Sequence, residues 1–166
     1  PVPAEEYLTA LADAQQQGLT REIGVSNFTV ALLQNAKKIL GDTPIATNQV
    51  EIHPYLQNRT LADYARAEGL HLTSYMTLAV GKVLDDPVMQ AIAQAHGATP
   101  AQVALAWALQ QGYSVIPSST KRENLESNLG ALDLILSDDD MAQIATLDRG
   151  GAERIANPAS VAPDWD

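Results

Sequence analysis

Hydroxyl, amide and phenol side chains recur at one kind of place along this chain, in or just after short apolar runs. Ser26 and Asn27 close the run Ile23-Gly24-Val25, Asn48 and Gln49 lie in the next, Ser74 and Tyr75 end the third, and Ser118-Ser119-Thr120 follow the fourth. Amides offer both a donor and an acceptor and a tyrosine face can stack, so this set can read a neutral carboxamide and a flat ring. Lys121 and Arg122 come next, at the start of a predicted helix, where a phosphate gains from unpaired N–H groups and the helix dipole. A nucleotide laid across these strand ends would satisfy all of them. Four unconnected capping or turn uses account for the spacing equally well, and a cap for the helix beginning near Thr29 is the ordinary use of Ser26 or Asn27.

Other chemistries find little support. No Gly-x-Gly-x-x-Gly follows a strand and no phosphate-cradling Walker loop occurs. His53, His71 and His96 are not at metal-ligand spacing and read as structural or surface residues, so no metal site is expected. Asp85-Asp86 and Asp138-Asp139-Asp140 fall in loops or helix starts, where solvation and capping explain them. There is no cysteine, which excludes disulfides and thiolate metal sites and fits a reducing compartment. A net charge of −10 opposes binding to a phosphate backbone, with Lys121-Arg122 as one small basic exception. No apolar run approaches the roughly 18 residues of a membrane span, and no basic-then-apolar leader is present, so a cytoplasmic protein is expected.

The elements that must position these residues follow from periodicity and punctuation. Helices are predicted over 5–17, 29–40, 59–68, 87–96, from Pro100 to Gly112 with Thr99 as N-cap, over 122–131, and from Ser137 to Leu147. Strands are predicted over 23–25, 45–52, 71–74 and 113–117, the second with a mixed pattern of polar and apolar residues. A glycine-containing loop follows the third strand, and 150–166 reads as an irregular tail. Strands alternating with helices at this spacing imply parallel βαβ units in one domain spanning 1–166. An open sheet and part of a (β/α)8 barrel both satisfy that order. A whole barrel needs at least roughly 200 residues, so four units would be half of one. The opening Pro1-Val2-Pro3, without methionine, reads as the interior of a loop, as in a processed or cut segment.

Taken in order, the motifs resemble those of the aldo-keto reductases. Leu11 followed by Arg21-Glu22-Ile23-Gly24-Val25-Ser26-Asn27-Phe28 is similar to the family's internal signature. Thr47-Asn48-Gln49-Val50-Glu51-Ile52-His53-Pro54-Tyr55 resembles its next strand, and Ser74-Tyr75-Met76-Thr77-Leu78 the strand and cofactor loop after that. Val115 to Arg122, with Asn128 beyond, resembles its adenosine-phosphate segment. The resemblance covers nearly the whole chain and implies the carboxyl-terminal half of a (β/α)8 barrel that holds NADP(H) extended along its strand ends and reduces a small carbonyl substrate.

Carried over by position, it implies that Ser26, Asn27 and Gln49 hold the nicotinamide carboxamide and that Tyr75 stacks on the ring. Leu78 and neighbouring backbone would meet the pyrophosphate, Ser119, Thr120 and Lys121 the 2′-phosphate, and Asn128 the adenine. Ser118 stands where the family commonly has lysine and Asn124 where it commonly has arginine, which weakens the expected preference for NADP over NAD unless Lys121 and Arg122 compensate. The family's proton donor tyrosine and its lysine, aspartate and histidine partners belong to the amino-terminal half. Tyr7, Tyr55, Tyr64, Tyr75 and Tyr113 do not match the donor's context, so no catalytic residue is expected here and the segment alone is expected to be inactive. Two partners are expected at the exposed strand edges: a second copy, or the missing half. A non-catalytic nucleotide-binding or self-assembling module is the alternative.

Overall fold

The computed structural model describes residues 2–166; Pro1, and with it the first residue of the predicted opening loop, lies outside the described residues. Seven α-helices and four strands alternate among the described residues in the order α1 (Ala4–Gln16), β1 (Gly24–Ser26), α2 (Val30–Leu40), β2 (Thr47–Glu51), α3 (Arg59–Glu68), β3 (His71–Tyr75), α4 (Pro87–His96), α5 (Pro100–Gln110), β4 (Ser114–Val115), α6 (Arg122–Leu129) and α7 (Asp138–Ala145). The strands lie in the sheet in chain order, β1-β2-β3-β4. β1 runs parallel to β2, with Gly24, Val25 and Ser26 opposite Thr47, Asn48 and Gln49, and β3 runs parallel to β4, with Thr73 and Ser74 opposite Ser114 and Val115. Doubly wound sheets reverse strand order at a switch point, whereas successive barrel strands do not, so this order favours the barrel reading.

Helix starts sit where side chains supply the missing acceptors. The Thr99 hydroxyl accepts from the Gln102 amide while the Gln102 side chain accepts from the Thr99 amide, and Pro100 occupies the first helical position. Ser137 and Asp140 form a second reciprocal pair ahead of α7, and the Asp86 carboxylate caps α4 through Val88 and Met89. Thr29, not Ser26 or Asn27, caps α2 by accepting from Leu32.

Contacts divide the chain into two compact units. The first contains residues up to Val50, Arg59–Leu72 and Pro158–Asp166. Its core is Leu8, Ile23, Ala36 and Leu40, with Leu11, Val25 and Phe28 packed against it. β1 approaches β2 so closely that a Cβ on Gly24 would lie 2.9 Å from the Thr47 carbonyl oxygen, a backbone atom that cannot swing aside. The second unit contains Glu51–Asn58 and Thr73–Asn157. Here Val103 to Ala108 of α5 are buried on all sides, as suits a helix without a polar face.

Several boundaries differ from the sequence reading. β4 is two residues long rather than the predicted 113–117, because only Ser114 and Val115 find partners on β3, opposite Thr73 and Ser74. β2 is 47–51 rather than 45–52; α6 stops at Leu129 and passes into a 3-10 turn over Gly130–Leu132. The predicted loop after β3 contains a 3-10 segment, Ala79–Leu84, in which Ala79, Val80 and Gly81 have φ of 48°, 54° and 90°. A left-handed β-branched residue such as Val80 is a true outlier, of a kind that clusters at functional loops. The tail predicted as irregular begins with a further 3-10 turn, Gly150–Glu153, and is heavily hydrogen-bonded.

Candidate functional site

In the first unit the end of β1 is fastened to β2 by a compact set of bonds. The Gln49 carbonyl oxygen accepts from both the Ser26 hydroxyl and the Asn27 amide, each at 2.9 Å. Asn27 takes a left-handed φ of 58°, a conformation that asparagine tolerates better than most residues. Ser26, Asn27 and Gln49, three of the predicted site residues, are thus brought together. Because the Ser26 proton is engaged, its oxygen lone pairs remain to accept from an incoming N–H group.

The residue that fixes this loop is Asn48, which is fully buried. Its Nδ2 donates to the Phe28 carbonyl at 2.8 Å and its Oδ1 accepts from the Phe28 amide at 3.3 Å, holding the residue that follows Asn27 from both sides. The sequence showed Asn48 as a polar residue within a strand but gave no means of separating it from Gln49. Its burial and its pairing across 20 residues separate them.

The other predicted residues lie in the second unit. Tyr75 is half-buried at the end of β3, just after Ser74, whose hydroxyl is buried and donates to the Ile52 carbonyl at 2.7 Å. Leu78 is half-buried and immediately precedes the left-handed residues Ala79, Val80 and Gly81. Past the end of β4, the Ser119 hydroxyl accepts from the Lys121 amide at 3.1 Å and from Asn124 Nδ2 at 3.2 Å, while Thr120 and Lys121 are exposed. Arg122 Nε is ion-paired with Glu126 at 2.7 Å. Asn124, where the resembled family commonly has arginine, thus shapes the turn, and among the described residues no carboxylate pairs with Lys121. Asn128 borders a cleft of about 480 Å³ lined mainly by apolar groups, among them Leu105, Leu109, Leu125 and Leu129.

The histidines take structural places. His53 is buried and donates from Nε2 to Glu51 at 2.9 Å, and His96 joins Asp140 at 2.8 Å. His71 is exposed. Among the described residues no cluster of His, Cys, Asp or Glu could hold a metal ion, and no helix is long and apolar enough to cross a membrane.

Tyr55 deserves weighing as a proton donor, since it is buried beside charged groups. Its hydroxyl donates to Asp86 Oδ2 at 3.1 Å, and the Arg149 guanidinium lies 5.6 Å from its ring centre. Burial first, and the adjacent Asp86 charge second, push the phenol well above its usual range. Such a phenol keeps its proton, the opposite of the tuning a donor near neutral pH requires.

Glu51 is the fully buried acid of this unit. Burial alone would push its carboxyl up, but hydrogen bonds from His53 and from the Ile155 and Ala156 amides outweigh that cost and hold it below the usual carboxylate range.

Methylglyoxal reductase DkgB of Salmonella typhi is 56% identical over 165 residues, which are 99% of this chain and 61% of that protein. Aldo/keto reductase slr0942 of Synechocystis is 42% identical over 161 residues, 90% of this chain and 49% of the relative. A crystal structure provisionally described as a 2,5-diketo-D-gluconic acid reductase B superposes with a TM-score of 0.95 at 41% identity, over 99% of this chain and 58% of its own. A Gox0644 variant in complex with NADPH gives 0.89 at 34% identity, over 96% and 58%. The chain therefore spans about 60% of the length of these DkgB and crystallographic relatives, and its four parallel strands are part of a (β/α)8 barrel. The Aldo/keto reductase family model matches residues 1–149, and with the motifs and strand order in agreement this chain belongs to that family.

Proposed function

We propose that this chain is the carboxyl-terminal portion of an NADPH-dependent reductase that converts a small carbonyl compound, of the methylglyoxal or 2,5-diketo-D-gluconate type, to an alcohol. The observation that carries this reading is the fastened end of β1, where Ser26 oxygen lone pairs, Asn27 and Gln49 gather amide-recognising groups on a loop held by Asn48. These groups suit the nicotinamide carboxamide, which offers one acceptor and two donors. Tyr75 would stack on the ring and Leu78 with its neighbouring backbone would meet the pyrophosphate. Ser119, Thr120 and Lys121 would take the 2′-phosphate, and Asn128 the adenine. With Arg122 tied to Glu126, the preference for the phosphorylated cofactor rests on Lys121.

When bound, NADPH supplies the hydride; the alcohol oxygen also needs a proton. Tyr55 is unsuited to give it, and the other tyrosines lack the donor's sequence context. We infer that the donor and its lysine, aspartate and histidine partners come from the portion of the relatives that this chain does not span, and that the chain alone binds cofactor without turnover. A cytoplasmic setting suits that chemistry. Titrating the chain into NADPH and following nicotinamide fluorescence tests the clamp. Saturable binding is expected, weakened about 10- to 100-fold by Ser26→Ala with Asn27→Ala, the scale of one or two lost hydrogen bonds with a charged or buried partner. Adding methylglyoxal should consume no NADPH. Equal affinity in the double variant overturns the clamp, and turnover comparable to an intact reductase overturns the division of labour.

A second reading, association through the open strand edge, is favoured by one observation. β4 pairs over only two residues, and Ile116, Leu125, Leu129 and Leu132 after it are exposed. Pairing with another copy or with the rest of the barrel would cover them. Light scattering of the purified chain should give a mass above that of one copy; a monodisperse monomer counts against self-pairing.

A further inference from the structure

Where β2 ends, the chain commits a fully buried carboxylate to two backbone amides more than a hundred residues away. Glu51 Oε1 accepts from the Ile155 amide and Oε2 from the Ala156 amide, both at 2.7 Å, and Oε1 also accepts from His53 Nε2 at 2.9 Å. Two side chains reinforce the contact: Asn58 Nδ2 donates to the Glu51 carbonyl at 2.6 Å, and Arg154 Nη2 donates to Asn58 Oδ1 at 3.0 Å. We propose that Glu51 is a positioning residue, a latch that holds the carboxyl-terminal segment at Ile155 and Ala156 within the second unit.

The chemistry of the contact argues for a latch rather than a space-filling core residue. Three N–H donors converge on one side chain, and only an ionised carboxylate offers acceptors on both oxygens with no donor of its own. A buried charge of this kind is retained only when it is fully hydrogen-bonded, so the segment and the carboxylate hold each other in place. The segment is fastened again at its far end. Asp166 accepts from the Val30 amide at 3.0 and 3.2 Å, at the start of α2 and two residues past Phe28. In sequence, residues 157–165 lie between these two carboxylate contacts, of which the one at Glu51 is buried and the one at Asp166 exposed.

Glu51→Gln tests this with almost no change in volume, because glutamine keeps one acceptor oxygen and turns an NH2 group toward a donor. Amide hydrogen exchange, resolved by residue, should quicken at least 10-fold at Ile155 and Ala156 and rise across 157–165, while the α5 amides of 103–108 stay protected. A residue that merely supports the fold would raise exchange in α5 as well. Should Glu51→Gln fail to fold, Ile155→Pro removes one donor and leaves Glu51 in place. Arg154 already has φ −65° and ψ 121°, the extended conformation favoured before proline. The same local rise is expected at Ala156. Protection at Ala156 within twofold of wild type in either folded variant, or an equal rise in α5, overturns the proposal.

Discussion

Replacing Asn48 with alanine will destabilise the chain by about 3 kcal/mol, since each backbone group left unpaired in the interior costs about 1–3 kcal/mol and two are exposed to that cost. The two are the Phe28 amide and carbonyl, which pair with Oδ1 and Nδ2 of this fully buried side chain. Asn48→Asp separates the two bonds. A carboxylate still accepts from the Phe28 amide but meets the Phe28 carbonyl oxygen with a second acceptor. Near neutral pH the aspartate variant should thus be at least as unstable as the alanine variant. It should recover as pH falls, because a protonated acid regains a donor for that carbonyl. The sign is that of a carboxyl whose folded-state pKa is raised: the penalty is absent at low pH and grows as pH rises through its unfolded value. Urea unfolding of the three proteins at pH 4 and pH 7 measures this. A loss under 1 kcal/mol in Asn48→Ala, or an aspartate variant with no pH dependence, would show that Asn48 does not hold the loop. Both variants should also bind NADPH more weakly, through a displaced Asn27.

Asn48 also shows where sequence reading stops. Helix starts were legible because their signals are local: Thr99 with Gln102 and Ser137 with Asp140 satisfy one another within three residues. The strand ends of the candidate site were legible for the same reason, each polar residue falling directly in or after an apolar run. β2 read as mixed because two of its buried residues are polar and find their partners far off, Asn48 across 20 residues and Glu51 across more than a hundred. Nothing near either residue in the sequence indicates that it is buried. The truncation of β4 and the left-handed run at Ala79, Val80 and Gly81 escape for a related reason. A ladder length depends on the neighbouring strand, and a strained φ is imposed by surrounding structure against local preference. Ser26 and Asn27 were equally legible as a cap and as part of a site. Thr29 serves as the cap, which leaves the pair for β2 and for whatever the loop binds.

The second large effect is expected at Asp140, where one carboxylate oxygen joins the start of α7 to the end of α4. Oδ2 accepts from the Ser137 amide at 2.9 Å, the Ser137 hydroxyl at 2.7 Å and His96 Nε2 at 2.8 Å. Burial would raise the carboxyl, but the hydrogen bonds from His96 and Ser137 outweigh it and set the group below its ordinary value of 3.8. A folded-state value below the unfolded one means that the contribution is whole above about pH 4 and is lost as pH falls through the folded value. Asp140→Ala removes a capping partner, worth about 0.5–2 kcal/mol, together with a charge-assisted bond worth about 1.5–3 kcal/mol. These overlap on a single oxygen, so a combined loss of about 2–3 kcal/mol is expected at pH 7. The gap between the variant and wild type should narrow as pH drops from 4 toward 2, because acid removes the same interaction from the wild type. Asp140→Asn should fall between, since its one oxygen can accept while its NH2 group opposes a donor. Chemical unfolding across that pH range decides it: a constant gap would mean that Asp140 acts through packing, and a gap below 0.5 kcal/mol at pH 7 would mean that the join between α4 and α7 rests on other contacts.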